Sequence, residues 1–178
     1  MAKLKILHFP DNRLRQKGLN VDIFDKNLRT LANDMLETMY VSKGIGLAAI
    51  QVNVQKRLIV IDISEERNEP IFLVNPVILK KKDQIEFEEG CLSVPGFYEK
   101  VNRFNHINYK TNDLYGKTFE LEAEGLLAVC IQHEIDHLDG KLFVDYISDI
   151  KRERIAKKIT KLGKQGKLAP RKDVPYSI

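Results

Sequence analysis

The residues best equipped for chemistry are His133, Glu134 and His137, within Gln132-His133-Glu134-Ile135-Asp136-His137. On an α-helix two histidines four residues apart share a face, about 6 Å apart along the axis at about 1.5 Å per residue. Both imidazoles can then reach one metal ion, and the carboxylate beside the first can work on a metal-held water. A glutamate on a helix is ordinarily a solvated charge. Its place between metal-spaced histidines favours the chemical role.

A catalytic metal site commonly has three protein ligands and one open position, so a third donor is needed. Cys130 lies three residues before His133, but about 10.5 Å of helix rise separates it from His137. Its short side chain leans toward the helix N-terminus, so a shared metal with His137 is disfavoured and a buried pocket wall is expected. Cys91 sits between Gly90 and the Pro95-Gly96 turn, where a loop can carry a thiolate to the helix from outside. Burial as an inert thiol is also a common fate for cysteine, and spacing alone leaves both readings of Cys91 open. His8 and His106 belong to no motif and are read as structural, and Asp136 is read as a surface or helix-supporting charge rather than a ligand.

The elements that must hold these groups are legible in outline. A helix over 126–138 is closed by Asp139-Gly140. Before it, 106–110 and 117–122 form a hairpin through Asp113-Leu114-Tyr115-Gly116. Strands are expected over 57–64 and 71–82, rich in Ile, Val and Leu. The stretch from Glu86 begins as a strand and ends as a loop at Pro95-Gly96. Residues 25–42 have helical spacing, with Asp25 as N-cap and Gly44 as stop. A last amphipathic helix over 147–162 buries Ile147, Ile150, Ile155, Ile159 and Leu162, and the tail beyond Gly163 is loose. No repeat or long linker divides the chain, so 1–178 reads as one α+β domain. Mostly antiparallel sheets should pack around the central histidine helix, with further helices near the two ends.

Composition sets outer limits. Hydrophobic residues at 43% and charged residues at 30% suit a globular chain with one core rather than a disordered one. No apolar run approaches the roughly 20 residues of a membrane span. The opening Met1-Ala2-Lys3-Leu4-Lys5-Ile6-Leu7 reaches His8 and Pro10 without a signal-peptide core, so a cytoplasmic location and no membrane partner are expected. Two cysteines in a reducing compartment are better suited to ligation or burial than to a disulfide. The net charge of +4 conceals a local excess: residues 151–172 hold ten Lys and Arg against one acid, Glu153.

Three ordered stretches together resemble the peptide deformylases: Gly44-Ile45-Gly46-Leu47-Ala48-Ala49-Ile50-Gln51, Glu89-Gly90-Cys91-Leu92-Ser93 and the histidine motif. The family pattern is GxGxAAxQ, then EGCxS, then HExDH, and every fixed position is matched. The likeness extends to Pro10-Asp11-Asn12-Arg13-Leu14-Arg15 and the run 121–145, nearly the whole chain.

The resemblance implies that Cys91, His133 and His137 hold one divalent metal, Fe(II) in bacterial members, with Zn(II), Ni(II) or Co(II) as substitutes. It implies removal of the formyl group from N-formyl-methionyl nascent peptides, with release of formate. Activated water attacks the formyl carbon, while Glu134 serves as base and then as acid. Gln51 and the Leu92 backbone N–H donate to the oxyanion. Ile45, Phe87, Leu126, Val129 and Cys130 line the methionine pocket, while Gly44, Gly46, Glu89 and Gly90 complete the substrate site. Some members carry an arginine near the position of Tyr98; this chain reads Gly96-Phe97-Tyr98-Glu99-Lys100, so that peptide contact is not carried over. Arg103 matches a family arginine read as structural.

Some bacterial members dock on the ribosome through a C-terminal helix, and the basic helix is expected to do the same through Lys157, Lys158, Lys161 and Lys164. Two rivals remain at this level. A metallopeptidase would share the helix but cleave between amino acids. A ribosome- or RNA-binding module would use the histidines for a closed, structural metal site.

Overall fold

The structure is a computed structural model that describes residues 3–168. In chain order the elements are α1 (Lys26–Val41), β1 (Gly46–Ala48), β2 (Leu58–Ile61), β3 (Ile71–Gly90), β4 (Tyr98–Asn112), β5 (Thr118–Glu124), α2 (Gly125–Leu138) and α3 (Asp149–Lys164). Short 3-10 turns lie at Asn12–Arg15, Ala49–Val52 and Phe143–Asp145. The strands form one antiparallel five-stranded sheet in the order β1-β2-β3-β4-β5. Each strand thus pairs with its neighbours in sequence, which keeps connections short. The expected α+β class holds, with a single sheet in place of several.

Strand alternation explains the layering. In β2, Leu58 and Val60 join Leu28, Ala32, Met35 and Met39 of α1, whereas Ile59 and Ile61 join Ala128, Ile131 and Ile135 of α2. All four β2 residues are buried, because the strand has a helix over each face. Helix α2 is apolar on most of its circumference, and ten of its residues are buried, as suits a helix enclosed within a fold. Asp25 caps α1 by accepting from the Leu28 N–H at 2.9 Å, a contact worth about 1 kcal/mol.

Strand β3 runs unbroken from Ile71 to Gly90, merging two strands expected separately. The charged stretch Lys80-Lys81-Lys82-Asp83 conceals this continuity, since those residues are exposed and lack an apolar alternation. Register shifts at 74–77 and 78–80 bend the strand. Pro76 fits at the first of these because a bulge does not demand its missing N–H. There Asn75 adopts φ 52° and ties its side chain to both backbone groups of Val21. Strand β4 likewise begins at Tyr98, earlier than the hairpin expectation.

Helix α3 buries Ile155 and Ile159 among Leu7, Phe9, Leu14, Val94, Val101 and Phe143, a cluster that also contains Cys91. Ile150, expected on that face, is instead 82% exposed. At about 100° per residue it stands about 140° around the helix from Ile155. The helix also continues through Gly163 to Lys164. The tail expected to be loose lies largely outside the described residues.

Candidate active site

The three donors converge from two directions. His133 and His137 project from α2, and Cys91 enters from the turn that begins where β3 ends. That turn is closed by the Val94 N–H donating to the Cys91 carbonyl at 2.9 Å. The Ser93 N–H donates to Cys91 Sγ at 3.4 Å, and Sγ lies 3.2 Å from His137 Nε2. The donor atoms of Cys91, His133 and His137 all lie within 4.8 Å of one another, and all three residues are buried. In a tetrahedral site with bonds of about 2.3 Å to sulfur and about 2.0 Å to nitrogen, donors stand about 3.5 Å apart. The grouping therefore fits one divalent cation after side-chain adjustments of about an ångström, and one thiolate with two imidazoles suits Fe(II), Zn(II), Ni(II) or Co(II).

Neighbouring groups orient these donors. The Nδ1–H of His133 donates to Glu89 Oε2 at 2.8 Å, leaving Nε2 for the metal side. The carboxylate is gripped from behind by Arg103, whose Nε and Nη2 donate at 2.6 and 3.0 Å. Burial works to raise the pKa of Glu89, but the hydrogen bonds from His133 and Arg103 outweigh it and hold the group at about 2. Burial likewise opposes the charged form of His133, yet Cys91 and Glu89 raise its pKa to about 10. Burial, then the charge on His133, lower that of His137 well below the ordinary value.

Gln51 closes another side. Its Oε1 accepts from the Ala48 N–H at 2.7 Å, which turns Nε2 toward Ser93 Oγ at 3.2 Å and Cys91 Sγ at 3.6 Å. The amide is thereby presented as a donor to the space beside the Cys91 sulfur. Glu134 is 1% exposed and lies against β1. A Cβ added at Gly46 would be driven into Glu134 Oε1 and would stand 2.9 Å from Cys130 Sγ, so only glycine admits the carboxylate here.

The expected methionine-pocket residues come together. Ile45, Val129 and Cys130 are buried in the α2 cluster, with Phe87 and Leu126 packed against it and half-buried. Cys130 does not join the donor group; its Sγ faces the Ile45 carbonyl at 3.9 Å. Gly44 lies under Leu92, whose Cδ1 would be 2.7 Å from an added Cβ. Gly90 ends β3 and hands the chain to Cys91. A cavity of about 410 Å³ opens beside Cys91 and Leu92, lined in part by Lys43, Phe97 and Tyr98.

Glu89 departs from its expected place at the substrate. It is fully buried, and both oxygens are taken by Arg103 and His133, so it stands behind the His133 ring. Ser93, the last residue of the EGCxS motif, accepts from Gln51 at its hydroxyl and donates its N–H to the Cys91 sulfur, a role the motif alone does not reveal.

Three buried metal-type donors, with a carboxylate on the adjoining helix position and an amide donor beside the cysteine sulfur, define a metal-dependent hydrolase. Comparison with known proteins narrows the class. The family model for polypeptide deformylase matches residues 3–153. A peptide deformylase from Stutzerimonas stutzeri is 57% identical over 166 residues, covering 93% of this chain and 99% of the relative. The crystal structure of a peptide deformylase from Legionella pneumophila is 50% identical, with a TM-score of 0.88 over 95% of this chain and 100% of the other. One from Ehrlichia chaffeensis, in complex with actinonin, is 39% identical, with a TM-score of 0.87 over 90% and 98% of the two chains. The chain belongs to the polypeptide deformylase family, metal-dependent hydrolases that remove the N-formyl group from newly made polypeptides.

Proposed function

We propose that Cys91, His133 and His137 hold the metal, that Glu134 moves the protons of deformylation, and that Gln51 and the Leu92 N–H stabilise the oxyanion. The observation that carries this reading is the convergence of the three buried donors, with Glu134 on the same helix and the Gln51 amide turned toward Cys91. When bound, the cation supplies Lewis acidity and brings the pKa of a coordinated water toward neutrality.

Glu134 takes a proton as water adds to the formyl carbon of an N-formyl-methionyl peptide. It returns that proton to the amine as the C–N bond breaks, so formate and a free amino terminus result. Gln51 Nε2 donates to the oxygen that gains charge during the addition, and its fixed orientation removes a reorganisation cost at that moment. Gly46 keeps the carboxylate close to the β1 edge, where the substrate backbone lies as an added strand. Ile45, Phe87, Leu126, Val129 and Cys130 receive the methionine side chain, an apolar hole continuous with the core.

The resident ion is Fe(II) in this reading, one per chain, and the whole chain 1–178 acts as one cytoplasmic domain. Actinonin, held in the complex of the Ehrlichia relative, is in this reading a ligand of this chain as well. Lys157, Lys158, Lys161 and Lys164 are all exposed on α3, which supports contact with ribosomal phosphate. The rival structural-metal site calls for four closed ligands, whereas the donor group among the described residues has three.

The test is formate release from a formyl-Met peptide by protein purified without oxygen. Formate without internal peptide cleavage supports the reading, and cleavage of internal bonds overturns it. Ribosome binding is tested separately: it should weaken steeply with salt and be lost on truncation at Asp149. Salt-insensitive binding would contradict the contact.

A further inference from the structure

Behind His133, four side chains from four parts of the chain form a continuous hydrogen-bonded strut. Tyr146, at the end of the Phe143–Asp145 turn, donates its hydroxyl to Asp136 Oδ2 at 2.8 Å. Arg103 of β4 donates from Nη1 to the same oxygen at 2.6 Å, and its guanidinium carbon lies 5.0 Å from the centre of the Tyr146 ring. Its other two donors fork onto both oxygens of Glu89, whose Oε2 also receives His133 Nδ1–H. Exposure falls inward along this path, from 47% at Tyr146 to 5% at Arg103 and 0% at Glu89.

The geometry assigns a role to the fork. A carboxylate held at one oxygen can swing about its Cγ–Cδ bond and carry the imidazole with it. One held at both oxygens by a planar guanidinium has its plane fixed, so the direction in which it accepts from His133 is fixed too. The positive charge also limits how strongly the carboxylate polarises the ring. Asp136 and Tyr146 hold the guanidinium in turn, one by its remaining amino group and the other through its ring face.

We propose that Arg103 is a positioning residue for the reaction: clamped by Asp136 and Tyr146, it fixes Glu89 against His133 and so sets how His133 Nε2 meets the metal. This rests on the ligand roles proposed above.

The test uses the full chain loaded with Co(II), whose visible bands report ligand geometry and whose affinity is read by chelator competition. Arg103→Lys keeps the charge but loses the fork. It should weaken Co(II) binding by roughly 10–100-fold and shift the bands. In a Glu89→Gln background the same change should add less than about threefold, because its effect passes through Glu89. Tyr146→Phe, at a half-exposed position, should weaken binding by a smaller, severalfold factor. Unchanged affinity and bands in Arg103→Lys, or full multiplication of its effect with that of Glu89→Gln, would overturn the proposal. Should Arg103→Lys not fold, unchanged affinity and bands in Tyr146→Phe would overturn it instead. His133→Ala separates the two levels: undiminished Co(II) affinity there sinks the ligand assignment itself.

Discussion

His133 and Glu89 are joined by a buried 2.8 Å hydrogen bond from Nδ1–H to Oε2, across 44 residues of sequence. The contact turns the other ring nitrogen toward Cys91 and His137, and it explains why a carboxylate is fully buried at the end of β3. It also gives the site a defined response to acid.

That response has a sign. The folded-state pKa of Glu89 is depressed to about 2, so its contribution to stability is fully present above the unfolded value near 4.5. It is lost as pH falls from there toward about 2. The protein freed of metal should lose thermal stability over that window, and Glu89→Gln should show a shallower acid loss. An identical pH dependence in the two proteins would contradict the assignment.

Gly46 should tolerate no side chain without cost to the reaction. Gly46→Ala places a methyl group against Glu134 and Cys130, so kcat should fall by at least about tenfold as the base is displaced. A chain that crystallises with Glu134 unmoved and turns over normally would refute the close-packing argument.

Gln51→Ala removes an oriented amide donor while leaving the ligands in place. The expected loss in kcat is about 10²–10³, with KM little changed, as for other single oxyanion donors. A rise in KM at constant kcat would place Gln51 in ground-state binding instead.

Each proposed ligand should be needed for metal retention. Cys91→Ser, His133→Ala and His137→Ala should each purify with markedly less metal than the parent chain, measured by elemental analysis of protein kept from oxygen. Cys130→Ser should retain it, because that sulfur faces the Ile45 carbonyl. Metal loss confined to the Cys130 variant would reverse the choice between the two cysteines.

What the sequence made legible follows from how local each signal is. The spacing of His133 and His137 on one helix face needs only a helix, and the helix rise disfavours Cys130 without any tertiary knowledge. The hairpin around Gly116 and the Asp25 cap are equally local. The strut from Tyr146 to Glu89 depends on contacts across 10, 33 and 14 residues, between side chains that individually look like surface charges. The length of β3 is hidden for another reason: its middle is exposed, so hydrophobic alternation fails where backbone pairing with β4 continues. Ile150 shows the converse error, an apolar residue assigned to the core although its angle on α3 points it outward.

Glu134→Ala separates proton transfer by Glu134 from metal binding by Cys91, His133 and His137. Metal content and formate release from a formyl-Met peptide should be measured on one preparation purified without oxygen. Metal should be retained at the level of the parent chain, with formate release reduced by at least about 100-fold. Near-parental formate release from that variant would contradict proton transfer by Glu134.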